Sequence, residues 1–490
     1  MSFQNQSGDL GLFTEVVPAS AQFGAPERSS ILTSRRRVKI VPQTGAQVGA
    51  AGAGGGSQQI QFLLSDNSGL VDMRSICLNY NIQTSGAANP VPDDGHVFST
   101  VQVLLNGQLL ENIQSAGKLF NAEVCMGGSK TYYETAGSFQ GLELLNGDMI
   151  LAPPAATVAP TQVGSYGFVA NNVSSIQART ARAAAPVFNN IAGESRSIPL
   201  GMIAGIGRMA TYLPISLVGE LAVILQTGAA NEQLFSVTAS QTAADFSLSN
   251  INLEFDVVTP DSRYFSVLQR IAGEETGLIM PYESSVVSTG AAIAASATLT
   301  ENSIIVSRAT NNLLRSNIVF IPTAQASALG YPSQSCFSHA SVYSVQWRIG
   351  SLVYPQTACQ GDAALFNMSM AAYGSVMQEN GTICNRVLWG NSTNGATQGT
   401  AAVFETSEAA SGGTVKFAYG DRFVPSYGFR TVKGGAEPLA VDGVSVAGAS
   451  GSQVIISVIS APGTAYTPYV ILTALKFIVA KNGGVQVVGA

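Results

Sequence analysis

Apolar and polar residues alternate along many short segments of this chain, and that period of two restricts the fold more than any other feature of the sequence. Ile76, Leu78, Tyr80 and Ile82 alternate with Cys77, Asn79 and Asn81. The pattern recurs at Val101, Val103 and Leu105, at Leu221, Val223 and Leu225, and at Ile251, Leu253, Phe255 and Val257. It returns at Val454, Ile456 and Val458, then at Ile471, Thr473, Leu475, Phe477 and Val479. In an extended chain successive Cβ atoms point to opposite faces, so each segment predicts a strand with one side in a core. Turn-forming clusters separate the segments: Thr84-Ser85-Gly86, Asn106-Gly107, Asn146-Gly147-Asp148 and Asn482-Gly483-Gly484. Many short strands punctuated in this way predict β sandwiches or barrels. The best helical candidate is Gln114 to Met126, with Leu119, Phe120, Val124 and Met126 on one face.

At 490 residues the chain exceeds one ordinary core. An internal repeat shows how it divides. Val101-Gln102 opens a strand that turns at Asn106-Gly107; Leu119-Phe120-Asn121 follows, then Gly128-Ser129. Val345-Gln346 opens a strand that turns at Gly350-Ser351; Leu365-Phe366-Asn367 follows, then Gly374-Ser375. The offset is 345 − 101 = 244 residues at the strand and 365 − 119 = 246 at the second block. The only two histidines, His96 and His339, precede the two strands by five and six residues. The repeat predicts two copies of one β domain, each with a strand, a tight turn and a short helix capping the barrel. Long Gly/Ala/Ser/Pro-rich loops are expected at about Ser138 to Glu194 and Cys384 to Ala449, as exposed decoration. The expected domains are residues 58–262 and 263–490, preceded by an arm, residues 1–57.

The arm carries a basic cluster, Arg35-Arg36-Arg37 and Lys39, followed by a low-complexity run from Gly45 to Ser57 that reads as a flexible tether. Its readings are a reach to a neighbouring subunit, a contact with an anionic surface, or a solvated tail. Charged residues make up only 11% of the chain, against roughly 25% in globular proteins. The apolar fraction, 46%, excludes disorder as the reason. Surface that ends against other protein sheds charge, because desolvating Lys or Glu without a partner is costly. A neutral extracellular β-protein fits the composition equally. The net charge of −6 argues against a chain-wide nucleic-acid binder. Cys77, Cys125, Cys336, Cys359 and Cys384 are odd in number and lack metal-type spacing, so they read as mostly buried free thiols in a reducing compartment. MSFQNQSGDLGLF lacks the pattern of a secretory signal. The longest apolar run, Tyr469–Ala480, is 12 residues with Lys476 inside, too short to span a bilayer. The sequons at Asn5, Asn172, Asn367, Asn380 and Asn391 read as chance.

No catalytic constellation survives inspection. His96 and His339 have no neighbouring Cys, His, Asp or Glu at ligand spacing, and read as loop or strand-end residues. Gly205-Ile206-Gly207-Arg208-Met209-Ala210 matches a dinucleotide fingerprint by letters, but no βαβ alternation surrounds it. Ser115-Ala-Gly-Lys118 and Ser65-Asp66-Asn67 imitate β-lactamase elements in the wrong chain order, and read as turn and cap residues. Glu274 and Glu275 read as a solvated turn rather than a glycosidase pair. No cofactor, metal site or enzymatic activity is expected.

The order of elements resembles the double jelly-roll major capsid proteins of icosahedral double-stranded DNA viruses, closest to polinton-like virus and virophage members. The resemblance covers about Gln58 to Val488. It rests on the early strand Leu70 to Ile82, on Val101–Gly107 with LFN after it, on Ile198-Pro199-Leu200 with Tyr212-Leu213-Pro214-Ile215, on Glu220–Gln226, and on the junction strand Asn250–Val258. It implies an all-β chain of two tandem eight-stranded jelly rolls. It also implies homotrimers of pseudo-sixfold outline that tile a shell, with neighbouring trimers, a single-jelly-roll penton protein and minor capsid proteins as partners. The implied location is the virion, assembled inside the host cell. The arm would run along the inner face, with Arg35, Arg36, Arg37 and Lys39 as its contacts and an internal membrane as one possible surface. Two competing readings remain: a tandem jelly-roll glycan- or host-binding protein of fibre or adhesin type, and a polysaccharide-active enzyme on a β sandwich. An outer-membrane barrel stands further off, lacking aromatic girdles.

Overall fold

The computed structural model describes residues 32–45, 48–49, 58–65, 69–85, 91–92, 96–128, 132, 136–137, 140, 194–235, 245–274, 277–308, 310–325, 333–335, 337–373, 389, 422–430, 443–446, 453–481 and 483–489. Its first half holds strands β1 (Leu32–Ile40), β2 (Gln59–Leu64), β3 (Leu70–Ser85), β4 (Phe98–Leu105), β5 (Gln108–Gln114), β6 (Glu194–Pro199), β7 (Leu221–Thr227) and β8 (Asp245–Pro260). They form two antiparallel sheets, ordered β1-β8-β3-β6 and β2-β7-β4-β5. The second half holds β9 (Leu278–Thr289), β10 (Thr300–Ser307), β11 (Leu313–Pro322), β12 (Val342–Ile349), β13 (Leu352–Gln360), β14 (Ser426–Gly428), β15 (Gln453–Ser460) and β16 (Tyr466–Lys481). Their sheets are ordered β9-β16-β11-β14 and β10-β15-β12-β13. Adding eight to each strand number of the first lobe reproduces the second. The repeated part of each lobe is thus an eight-stranded jelly roll, the chain carries one sandwich twice in tandem, and Val48–Gly49 on β8 and Gly484–Val488 on β16 add a fifth strand to one sheet of each lobe outside that repeat.

The sequence period explains the layers. Ile60, Phe62 and Leu64 of β2, Val101, Val103 and Leu105 of β4, and Leu221, Val223 and Leu225 of β7 are all fully buried. They face Ile76, Leu78, Tyr80 and Ile82 of β3 and the inward residues of β8 across the first sandwich. Each such side chain contributes about 1.5–3 kcal/mol of burial. In β8 the alternation changes phase at Asn250, which takes a left-handed φ of 53°. Pairing with β3 shifts there; Phe246 and Leu248 are buried before it, and Ile251, Leu253, Phe255 and Val257 after it. A one-residue bulge re-aims the whole downstream strand at the core. In the second lobe Trp347 of β12 fills the centre, its Nε1 donating to Ser316 Oγ at 3.0 Å.

The repeated block is a hairpin followed by a helix: β4, β5 and α1 (Ala116–Gly127) in one lobe, β12, β13 and α3 (Asp362–Ala372) in the other. A further helix, α2 (Ser262–Gly273), joins the lobes, capped by Asp261, whose carboxylate accepts from the Arg263 amide at 2.8 Å.

Three expectations need correction. The segment holding Arg35, Arg36, Arg37 and Lys39 is strand β1, paired with β8 from Leu32↔Pro260 to Ile40↔Leu253. Residues 32–40 therefore belong to the first sandwich, and the expected limit at Ser57 falls inside the fold. Basic side chains obscured the strand because they alternate with little but other polar groups. Helix α1 is buried all round, from Ala116 to Met126, rather than along one stripe. The expected loop Cys384 to Ala449 contains β14, and most of it, like most of Ser138 to Glu194, lies outside the described residues.

Candidate assembly surfaces

Strand β1 lies at the edge of its sheet, and its outward face is a ladder of charge. Arg35 donates from Nε to Asp256 at 2.9 Å and from Nη2 to Asp72 at 3.0 Å. Arg37 Nε reaches Glu254 at 3.0 Å, and Lys39 stands opposite Glu254 in the strand register. The hydrogen bond and charge of Asp256 hold the Arg35 guanidinium above its ordinary pKa. The side chains of Arg35 and Arg37 remain 54% and 55% exposed, so these pairs are screened by water. Arg36 is also exposed. The cluster is thus committed largely to carboxylates of its own lobe, and a charged edge of this kind resists unspecific strand addition.

A second concentration of charge lies between the lobes. Strand β5 and helix α1 of lobe one pack against β9 and β11 of lobe two. Glu123 on α1 receives a hydrogen bond from Arg315 on β11, with both side chains more than nine-tenths buried. Arg208, from the 3-10 turn Gly205–Arg208, approaches Glu123 at 3.4 Å and Glu283 of β9 at 4.0 Å. Arg430 also bonds to Glu283. Burial alone raises the Glu123 carboxyl, but Arg315 and Arg208 outweigh it and hold the group below its ordinary value. Arg315 lies over the Tyr373 ring, 4.1 Å from its centroid, and Tyr373 in turn accepts from Asn317 at 2.9 Å.

Single polar contacts continue the seam. Tyr282 of β9 donates to the Leu110 carbonyl on the open edge of β5 at 3.1 Å. Lys118 donates to Gln334 at 3.3 Å and sits 4.6 Å from the Tyr469 ring centroid. Asn121 donates to the Gln334 carbonyl at 3.2 Å, and the Cys125 thiol to the Arg422 carbonyl at 3.5 Å. Glu111 of β5 accepts from the Ile206 amide at 3.2 Å. It is fully buried, and that burial pushes its carboxyl up to about 7 against the lesser pull of the amide bonds and Lys476. At Gly205 a Cβ would overlap the Glu283 carbonyl, so only glycine admits this approach.

The described residues weighed for chemistry sit in packed or turn positions. His96 is buried between Phe98 and Phe120, accepts from the Phe98 amide at 3.1 Å, and is held down to about 4 by burial. His339 is buried against Phe423, its Nε2 3.0 Å from Asp362. Ser115 precedes α1 in a left-handed conformation, and Gly205–Arg208 is a 3-10 turn with no nucleotide-type strand before it. Glu274 closes α2, whereas Asp66, Asn67 and Glu275 lie outside the described residues. Among the described residues no cluster of His, Cys, Asp or Glu has metal-binding geometry, and no helix is long and apolar enough to cross a membrane.

The overall fold recurs in solved viral structures. The Faustovirus major capsid protein superposes with a TM-score of 0.57 at 8% identity, over 96% of this chain and 93% of that one. A chain of the PBCV-1 virus capsid gives 0.54 at 10% identity, over 96% and 99%. This is the double jelly-roll fold. A chain of the Sputnik virophage structure shares the double jelly roll with a TM-score of 0.51 at 12% identity, over 97% and 93%. No protein-family model and no curated protein sequence matches, so the likeness is one of topology rather than of residues.

Sequence reasoning singled out the basic cluster, though as part of an arm rather than a strand, and missed the seam. A signal existed: Glu111, Glu123 and Arg315 are single charges, each with apolar residues beside it, in a charge-poor chain. Such a charge needs a buried partner, but the sequence does not say which.

Proposed function

We propose that this chain is a structural shell protein, the major capsid protein of an icosahedral double-stranded DNA virus, which acts in the virion by self-assembly and carries out no chemical step. The observation that carries the reading is the paired eight-stranded sandwich, shared over nearly the whole chain with the Faustovirus capsid protein. Two similar lobes per chain suit a trimer with six similar corners, and such trimers would tile facets, meeting a separate penton protein and minor proteins at other positions. The charge-poor composition, 11%, lowers the desolvation cost of covering large surfaces. Permanent interfaces of this class bury about 2,000–5,000 Å².

The test is purification followed by light scattering and electron microscopy. Stable trimers that form shells or flat arrays are expected. A clean monomer at every concentration and salt would reject the reading, and binding of glycan by a discrete monomer would favour an adhesin instead.

For the segment before β1, we propose a contact with the inner side of the shell or with a membrane beneath it, extended by Arg36 and Lys39. Because β1 belongs to the sandwich, the informative truncation removes residues 1–31 and spares 32–57. Folded trimers with reduced particle yield are expected; unchanged yield would reject the contact.

A further inference from the structure

Of the acids in the seam, Glu111 alone has no ion partner among the described residues. Glu123 is held by Arg315 and Arg208, and Glu283 by Arg430 with Arg208 beside it. One oxygen of Glu111, Oε2, accepts from the Ile206 amide. The other, Oε1, is buried and meets no hydrogen-bond partner. It lies against the bare α-carbon of Gly205: a Cβ there would stand 3.1 Å from Oε1 and would also overlap the Glu283 carbonyl oxygen. Carbon and a second oxygen thus occupy the place that a neutralising cation would need.

Each element packed around Glu111 brings charged or titratable groups, and none of the cations among them reaches it. The Gly205–Arg208 turn brings Arg208, whose Nε is bonded to the Gly201 carbonyl and whose Nη1 is bonded to Glu123. Strand β9 brings Glu283 and Tyr282, whose hydroxyl donates to the Leu110 carbonyl. Strand β16 brings Lys476, a half-buried ammonium that burial disfavours and Arg308 repels. Helix α1 brings Glu123. The amides of Ile206 and Ser285 favour an anion at Glu111, and burial outweighs them. A neutral carboxyl fits this space. An ionised one is a buried charge with a bare oxygen, and it is relieved only by water entering or by the group moving out. Either requires β5 to part from the turn and from β9.

We propose that the seam is a proton-operated latch: neutral Glu111 locks the two lobes at one angle, and its ionisation releases β5 from β9 and lets the lobes move while each sandwich stays folded. Strand β5 belongs to lobe one and strands β9 and β16 to lobe two, so the release falls on the joint. The consequence for assembly rests on the capsid reading: the locked form packs, and the released form packs poorly. The latch itself rests on the seam alone.

Cys125 reports on it in the full chain. Its thiol is fully buried in the seam and donates to the Arg422 carbonyl. Wild type and Glu111→Gln are pulsed with iodoacetamide at pH 6 and pH 8.5, and labelling of the Cys125 peptide is read by mass spectrometry. The rise in thiolate with pH is common to both proteins and cancels in their ratio. The wild-type rate should match the variant's at pH 6 and exceed it about tenfold or more at pH 8.5. A ratio that does not change with pH overturns the latch. Hydrogen exchange of wild type, corrected for the intrinsic pH effect, is the second measurement and needs no variant. Amides of β5 and α1 should lose protection across this range while those of β4 and β7 keep it; loss in all four together is global unfolding and overturns the latch. Shell formation is followed separately by light scattering at both pH values. Wild type should assemble at pH 6 and fail at pH 8.5, and Glu111→Gln should assemble at both. If the ratio rises as expected and neither protein assembles at either pH, the capsid reading fails and the latch stands.

Discussion

Glu111→Gln should make the protein more stable at alkaline pH and leave it nearly unchanged in mild acid. The carboxyl is fully buried in the seam and titrates at about 7, against an ordinary 4.5. Desolvation dominates, opposed by amide hydrogen bonds and by Lys476, whose own ammonium is destabilised by burial. Arg208 and the Tyr282 phenol are the other titratable groups facing it. A folded value above the unfolded one means that the folded state binds the extra proton. The stabilisation is therefore complete below about 4.5, declines as pH rises, and is lost above about 7. At 1.36 kcal/mol per pH unit the gap from 4.5 to about 7 corresponds to roughly 3 kcal/mol. Glutamine imitates the protonated acid and cannot ionise. The assay is urea unfolding of both proteins at pH 5 and pH 8, at one protein concentration, read by Trp347 and Trp389 fluorescence. The variant should match wild type within about 1 kcal/mol at pH 5 and exceed it by roughly 3 kcal/mol at pH 8. Taking the difference between the proteins cancels titrations elsewhere. Parallel pH profiles would refute the claim that this carboxyl is buried at cost in the seam.

Two further perturbations probe the same seam. Arg315→Met should cost about 3–5 kcal/mol, because it strands the buried Glu123 carboxylate with only Arg208 near it; adding Glu123→Met should recover most of that loss in a double-mutant cycle. Additive losses would show that the two side chains do not act as a pair. The folded Glu123 carboxyl lies below its ordinary value, so its contribution is present above about pH 4.5 and fades as pH falls through the folded value, opposite in sign to that of Glu111. Gly205→Ala should prise the lobes apart, since its Cβ would meet the Glu283 carbonyl; calorimetry should then resolve two transitions where wild type shows one, and an unchanged single transition would contradict the close approach.

The sandwich was legible where apolar side chains alternate, because the period of two directly records which face is buried. The repeat at LFN was legible because both copies keep the same hairpin and helix: the strands start at 98 and 342, 342 − 98 = 244 apart, and the helices at 116 and 362, 362 − 116 = 246 apart. Strand β1 was not legible, because Arg35, Arg36 and Arg37 hide an edge strand whose outward face pairs with Asp72, Asp256 and Glu254, more than 30 residues away. The all-round burial of α1 was hidden for a related reason. Its Lys118, Asn121 and Glu123 look solvent-facing in sequence, and become interior only because lobe two brings Gln334, Tyr469 and Arg315 to meet them.

The position of those charges bears on what the chain is built to do. In a chain with only 54 charged residues, 24 basic and 30 acidic, burying Glu111, Glu123 and Arg315 between two lobes is a poor route to stability alone, since apolar contacts would hold two sandwiches together with less desolvation. Paired charges differ from apolar contacts in being intolerant of misalignment: an ångström of slip leaves a carboxylate buried without its guanidinium. They therefore fix the angle between the lobes. A single sandwich could adhere to a neighbour at any of several tilts, but two lobes locked at one angle present the next chain with one orientation. Wherever copies of a two-lobed body pack side by side, an error of a few degrees at the seam is carried into every contact, so rigidity there decides whether the contacts register. Low charge elsewhere and concentrated charge at the seam then follow from one requirement, surfaces that are cheap to cover and an angle that is costly to change.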